Sequence, residues 1–250
     1  MASGGQPRST SGPDRAIRRR PSTILVDEVG VGPGVRVLDL AAGTGKLTRE
    51  LTTTGADVVA VEPVASMREQ LAGVAPGVEV QGGLAEDIPL AASSVDVVTC
   101  AQAFHWFDAP LALAEVARVL RPAGSLALIW NVRDESVDWV HRMTEIIVER
   151  SGGTPYRRDH TFGSWSSAVA DTGAFEPLRQ ARFTNAPEAT IDLVVGRAAS
   201  TSFVAALPTD EREMVLDEVR SMLEDHPDVP VSGTFPFPHE TDVYWCRRRG

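Results

Sequence analysis

Cysteine is nearly absent: the chain carries two, Cys100 and Cys246. They lie far apart and match neither a disulfide framework nor the paired spacing of metal thiolates, so the expectation is a reducing compartment and no metal site. Lysine is rarer still, Lys46 being the single example, and positive charge falls almost wholly to arginine. Acids outnumber bases, 34 against 24, for a formal net charge of −10. Such a chain repels a phosphate backbone, and its clustered cations lie mainly at the two ends, which argues against nucleic acid as a partner. No apolar run approaches the roughly 18 residues of a membrane-spanning helix, and no charged start followed by an apolar stretch marks a secretory signal. The expectation is a cytoplasmic protein with no membrane attachment, monomeric or homodimeric.

What the chain does have is apolar content, 43% of 250 residues, enough to bury a substantial core in one domain with an insertion. Residues 1–23 are rich in Gly, Ser, Pro and Arg. Glycines and prolines there would break the amphipathic helix of an organelle presequence, so a disordered tail is expected, with the folded domain spanning 24–250. From Ile24 to Val29 the pattern is helical, and apolar strand runs then alternate with helical stretches: Val35 to Leu40, Asp57 to Glu62, Val78 to Val80, Val95 to Cys100 and Ser125 to Trp130. Runs of that kind suit a parallel sheet covered on both faces, a doubly wound α/β fold. Beyond Val132 the pattern turns helical over Val137 to Arg150 and Trp165 to Thr172, then gives a strand at Leu178 to Thr184. Two further helices, Ile191 to Ala206 and Thr209 to Leu223, suggest a small helical cap inserted over about 187–230. The closing stretch, Gly233 to Cys246, contains Pro236 and Pro238 and therefore reads as an edge strand or hairpin partner.

The segment Val37 to Thr48 is a strand, a glycine-containing turn and the start of a helix, a layout that offers free N–H groups to a ligand. A P-loop fails twice, at Leu40 where its first glycine belongs and at Leu47 where its hydroxyl belongs. A dinucleotide fingerprint starting at Gly43 needs Gly or Ala at position 48, where Thr48 stands, which sets aside a nicotinamide oxidoreductase. An acid followed by small residues at alternate positions, Asp39, Ala41, Gly43 and Gly45, instead resembles the first motif of class I S-adenosylmethionine-dependent methyltransferases. Ala41 departs from the commoner glycine. Three further segments fall in the family's order: Glu62 at the end of the second strand, Gly83 to Pro89, and Ser94 to Phe107 with the Arg118 to Ser125 turn behind it. Gln102 to Phe107, Trp130 to Asp134 and Thr241 to Trp245 together look like the type 11 branch that includes trans-aconitate methyltransferase-like proteins. In that branch a tyrosine usually stands shortly before Arg-Pro, whereas Ala16 stands near that place ahead of Arg20 and Pro21.

The resemblance covers roughly Arg20 to Arg247. It implies a Rossmann-like, seven-stranded, mostly parallel sheet with an antiparallel final strand, and S-adenosylmethionine as cofactor. It also assigns roles. Asp39, Ala41, Gly43 and Gly45 would form the cofactor turn, Glu62 would accept from the ribose hydroxyls, and Asp87 would receive the adenine amino group, with backbone contacts from Ala85 and Glu86. Gln102 would lie beside the methionine part, with His105 and Trp106 facing the methyl group and its acceptor.

Methyl transfer from a sulfonium is an in-line displacement with an already activated donor, so catalysis can come from alignment and needs no protein nucleophile. A carboxylate acceptor is ionised at neutral pH and needs an arginine anchor, for which Arg133, Arg20 and Arg197 are candidates. A hydroxyl acceptor gains from a base, and His105 is the candidate. His226 and His239 sit in no motif. The expected activity is methyl transfer to a small-molecule acceptor through a carboxylate or hydroxyl oxygen. The alternative is a catalytically silent module that binds the cofactor and regulates.

Overall fold

The computed structural model describes residues 21–151 and 158–250. The chain opens with α1 (Pro21–Asp27) and alternates strand and helix through β1 (Arg36–Leu40), α2 (Lys46–Thr52), β2 (Asp57–Val61), α3 (Ala65–Val74), β3 (Glu79–Gln81) and β4 (Val95–Ala101). A 3-10 turn (Phe104–Trp106), α4 (Ala109–Val119) and β5 (Leu120–Arg133) follow. The rest comprises α5 (Asp138–Ser151), α6 (Arg158–Asp171), β6 (Arg179–Asn185), β7 (Glu188–Ala189), α7 (Ile191–Ala199), α8 (Ser202–Ala205), α9 (Thr209–Asp225), β8 (Phe235–Pro236) and β9 (His239–Arg247). Of the expected N-terminal tail, Pro21 to Thr23 belong to α1, and residues 1–20, Ala16 and Arg20 among them, lie outside the described residues.

Seven strands form one sheet in the order β3-β2-β1-β4-β5-β9-β6. β9 is antiparallel to both its neighbours, which leaves every other strand parallel to the rest. The chain builds outward from β1 in one direction and from β4 in the other. The order therefore reverses between those two strands, and the crevice outside their carboxyl ends is where such sheets hold ligands.

The central strands β1, β2, β4 and β5 carry apolar runs because both faces are covered there, whereas the edge strand β6 is polar and largely exposed. On one face Leu38, Val98, Leu126 and Leu128 pack with α4 and α6. On the other, Val37, Val97, Ala127 and Val243 pack with Ile24 and Leu25 of α1 and Leu51 of α2. α4 shows how sequence sets such a helix. Asp108 caps it by accepting the Leu111 N–H at 3.2 Å, Pro110 sits in its first turn, and Ala112, Leu113, Val116 and Val119 form its buried stripe.

Three expectations need correction. The closing stretch is not an edge strand, for β9 lies between β5 and β6 and β6 is the edge. Both prolines precede β9, and from His239 to Arg247 every residue keeps its N–H, so pairing on both sides is open to it. The single helix over 191–206 is two, because the hydroxyls of Ser200 and Thr201 donate to the carbonyls of Arg197 and Ala198 at 2.8 and 2.7 Å and end α7. Finally, β5 continues past Trp130, so Arg133 is its last residue, paired in register with His239.

The helices between β6 and β9 have their own core, in which Val194, Val215, Val219, Phe235 and Phe237 meet Trp139 and Met143 of α5. α5 thus completes this cap although it precedes β6. At the seam of α9 and α5, the His226 Nε2 lies 2.9 Å from the Asp138 carboxylate, and the His226 Nδ1 accepts the Asp228 N–H at 3.2 Å. The chain leaves the sheet for the cap after Asn185 and re-enters at His239, and those two residues are register partners.

Candidate active site

The turn after β1 turns the chain through three left-handed residues that matter, Ala41 at φ 53°, Gly43 at 58° and Gly45 at 82°. They have different jobs. A Cβ on Gly45 would lie 2.8 Å from Leu71 Cγ and 3.0 Å from Val74 Cγ2, so this glycine exists to let α2 approach α3. A Cβ on Gly43 would meet nothing within 4 Å, which leaves its backbone open to the crevice. Of the two glycines assigned to the cofactor, Gly45 is hemmed in by protein and Gly43 has open space beside it.

Asp39 is likewise turned inward. It is buried, the Thr48 hydroxyl donates to one of its oxygens at 2.6 Å, and the Thr99 hydroxyl lies 3.3 Å from the other. Burial pushes its pKa up to about 6, the hydrogen bonds from Thr48 and Thr99 pull the other way, and the Glu62 charge adds to the rise. Asp39 therefore braces the turn from within, through Thr48 of α2 and Thr99 of β4. Thr48, which in the sequence only argued against a dinucleotide site, is its principal partner.

Glu62 follows the last residue of β2, and its carboxylate is fixed by two backbone donors: Gly43 N–H at 2.9 Å and Val64 N–H at 2.9 Å. Each carboxylate oxygen accepts one of these and keeps capacity for another donor. Arg68 locks the same corner by donating to the carbonyls of Glu62 and Pro63, both at 2.8 Å.

The loop of Gly83 to Pro89 stands beside it with Ala85 buried and Asp87 exposed. Glu86 turns its side chain to the Asp108 N–H at 2.8 Å, joining this loop to the start of α4. The loop is also gripped from below by a pair that the sequence reading did not single out. Glu115 accepts the Ile88 N–H at 2.9 Å, while Arg118 donates to the carbonyls of Ile88 and Leu90 at 2.8 and 2.7 Å. Arg118 and Glu115 pair with each other at 2.7 Å, and that hydrogen bond holds the Glu115 carboxyl below its usual range. Their spacing of three residues on a helix was the available signal.

After β4 the chain turns at Gln102, φ 60°, whose side chain donates to the Asn131 carbonyl at 2.9 Å and so ties this loop to β5. Phe104 anchors the next turn in the core, edge-on to Phe107 and Trp165 at 5.4 and 6.0 Å. His105 and Trp106 project from it with ring centroids 5.1 Å apart. Burial depresses the His105 pKa below 6.5, which leaves a neutral imidazole at pH 7 able to take a proton. Trp106 is 66% exposed and stands at the rim.

One strand further, Arg133 ends β5 half-buried beside His239, while Arg197 of α7 reaches over the Phe237 ring at 5.5 Å. Burial lowers the Arg133 pKa, with the Glu135 charge opposing and Arg197 adding to the shift. His239 is lowered too, by burial first and then by Arg197 and Arg133, while its Nδ1 donates to the Phe237 carbonyl at 2.7 Å and opposes the shift. His239 was missed from sequence because only strand pairing brings it to Arg133. From Glu62 to His239 the site residues thus run in a row along the strand ends. Among the described residues no group of three His, Cys, Asp or Glu side chains could hold a metal, and no helix is long and apolar enough to cross a membrane.

The methyltransferase-domain family matches residues 38–128, the stretch from β1 into β5 that contains Glu62, the Gly83 to Pro89 loop, Gln102 and His105, while Arg133, Arg197 and His239 lie beyond it. An uncharacterized methyltransferase of Mycobacterium tuberculosis is 43% identical over 208 residues, covering 82% of this chain and 80% of that one. One from Schizosaccharomyces pombe is 38% identical over 199 residues, covering 78% and 77%. Among solved structures, the YcgJ protein of Bacillus subtilis superposes with a TM-score of 0.58 at 18% identity over 91% of this chain and 97% of that one, which shows the shared fold. A geranyl diphosphate C-methyltransferase of Streptomyces coelicolor, solved with S-adenosyl-L-homocysteine, gives 0.50 at 15% identity, covering 91% and 78%. By sequence relatives and fold together, the chain belongs to the methyltransferase-domain family as a class I S-adenosylmethionine-dependent methyltransferase.

Proposed function

We propose that the protein methylates an oxygen, carboxylate or hydroxyl, of a small molecule held between the strand ends and the cap. The observation that carries the reading is the corner where Gly43 presents open backbone while its N–H holds the Glu62 carboxylate at 2.9 Å. S-adenosylmethionine fits these residues: Glu62 has acceptor capacity left for ribose hydroxyls, and Gly43 has no side chain to obstruct the approach. In this reading Asp87 receives the adenine amino group beside the backbone of Ala85 and Glu86, and Gln102 borders the methionine end. The cofactor supplies a methyl group already activated by its sulfonium.

The protein's own contribution is alignment. The rigid corner at Glu62 and the Gln102 tie to β5 set the distance between the donor side and the acceptor side. For a hydroxyl acceptor, neutral His105 takes the proton, whereas a carboxylate acceptor needs no base and His105 then shapes the wall with Trp106. We also propose membership of the trans-aconitate methyltransferase-like branch. Its support is that the three segments carrying that resemblance are neighbours here: Gln102 bonds to Asn131, and Trp130 to Arg133 pair with His239 to Asp242.

Calorimetric titration with S-adenosylmethionine and S-adenosylhomocysteine, with NADH as control, tests the cofactor corner. Binding of the first two and not the third is expected. A panel of carboxylic acids and phenols then tests the acceptor. Turnover of any of them rules out a silent regulatory module, and no turnover by a protein that binds the cofactor would favour one.

A further inference from the structure

The chain has a surplus of acids, and many of its arginines are matched: Arg118, Arg121, Arg182 and Arg220 each hold a carboxylate at 2.6–2.7 Å. Arg133 and Arg197 depart from that pattern. Among the described residues neither has a carboxylate within ion-pair distance, and the nearby acid acting on Arg133, Glu135, is exposed and lies 3.9 Å from the His141 Nδ1. Geometry links the two: His239 pairs in register with Arg133, its ring lies 4.2 Å from that of Phe237, and the Arg197 guanidinium lies 5.5 Å from the same Phe237 ring, so both like charges act on His239. A desolvated guanidinium beside another is unfavourable unless something neutralises it.

The placement says what that something is. Asn131 and Arg133 share one face of β5, and their register partners Thr241 and His239 share the same face of β9. Thr241 donates to the Asn131 side chain at 2.7 Å, which fixes that floor. Arg197 approaches from the cap, its guanidinium carbon over the Phe237 ring, which lies 4.2 Å from the His239 ring. Neighbouring strands are about 4.8 Å apart, so the cluster begins about 10 Å along the sheet from the cofactor turn, on the acceptor's side of Gln102 and His105.

We infer that Arg133 and Arg197 form an oxyanion site at the seam of sheet and cap, and that the methyl acceptor is a small molecule whose carboxylate or phosphate docks there. The inference rests on the reading that the acceptor lies between strand ends and cap. Planar guanidinium forks from two sides suit the paired oxygens of either group. The anion neutralises both charges at once and fastens α7 to the sheet.

Titration calorimetry of the full chain at pH 7, with and without S-adenosylhomocysteine, takes citrate in one arm and inorganic phosphate in another. One of the two should bind the wild type, the favoured arm telling carboxylate from phosphate. Arg133→Gln and Arg197→Gln should each weaken that binding about tenfold or more, and Arg133→Lys by less, with S-adenosylhomocysteine affinity retained. The proposal is overturned if neither anion binds the wild type, or if the arginine variants bind as the wild type does. Should the wild type fail to bind S-adenosylhomocysteine, the methyltransferase reading falls, while the cofactor-free arms still decide the anion site. Arg197 is exposed on its helix, so its variant stays informative if replacing Arg133 disturbs folding.

Discussion

The two halves of the crevice are built on opposite principles. On the side of β1, β2 and the Gly83 to Pro89 loop, polar groups are answered by protein: Asp39 by Thr48 and Thr99, Glu62 by two backbone N–H groups, the loop by Glu115 and Arg118. On the side of β4, β5, β9 and the cap, Arg133 and Arg197 have no carboxylate within ion-pair distance among the described residues, and Trp106 is exposed. A half that must hold one invariant cofactor can be finished in advance, since preorganised donors and acceptors cost little to engage. On the proposed reading, the other half receives the variable partner and leaves its charges for that partner to meet.

The sharpest way to test this division is inside one motif. Gly45→Ala combines a left-handed Cβ with a clash against Leu71 and should cost about 2–4 kcal/mol in denaturant unfolding. Gly43→Ala should cost only about 1 kcal/mol in stability while sharply weakening S-adenosylhomocysteine binding. Equal effects of the two on unfolding would dissolve the distinction.

Asp39 offers a pH test of the finished half. Its folded pKa of about 6 lies above the ordinary 3.8, so its stabilising contribution is full below the ordinary value and is lost as pH rises through 6. Relative to Asp39→Asn, the wild type should therefore gain stability as pH falls from 7 towards 5, by at most about 1.4 kcal/mol per unit. A difference flat with pH would mean that the carboxyl is not held as described. Glu62→Gln keeps the shape but sets an amide N–H against one backbone donor, and should weaken S-adenosylhomocysteine binding by about 1–3 kcal/mol.

On the unfinished half, His105→Ala should lower kcat about 100-fold for a hydroxyl acceptor and leave a carboxylate acceptor largely unaffected. In the wild type the hydroxyl rate should fall on the acid side, below a pKa itself depressed under 6.5, and the variant should lose that limb. The smallest effect is expected at Ala41→Gly. Relief of its left-handed strain is partly offset by the freer unfolded chain, and a net gain of about 0.5 kcal/mol is what thermal unfolding should show.

The same division governs what could be read from the sequence. The strand runs, the turn at Gly43 and the acid at Glu62 are local patterns, and a doubly wound sheet followed from their alternation. The split between Gly43 and Gly45 was not legible, because it depends on where α3 packs. The resemblance placed Asp39 in the cofactor turn, but that its side chain is buried against Thr48 and Thr99 depends on packing that no local pattern shows. Pro236 and Pro238 suggested an edge because they were counted into the strand that in fact begins one residue later. The meeting of Arg133, Arg197 and His239 needs a strand pairing and a helix docking between segments far apart in the chain, and no window of sequence contains it.

Asn185 and His239 face each other across neighbouring strands, so everything between them departs from and returns to a single socket in the sheet. The ladder between β6 and β9 is complete whatever that excursion contains, and closing a loop whose ends are already pinned grows only slowly more costly with length. On the reading proposed above, the excursion that faces the acceptor is therefore a separable insertion, tied to the rest by its packing on Trp139 and Met143 of α5. A longer, shorter or differently charged cassette could be plugged in at Asn185 and His239, provided it still covers Trp139 and Met143, and leave strands β1 to β4 unaltered.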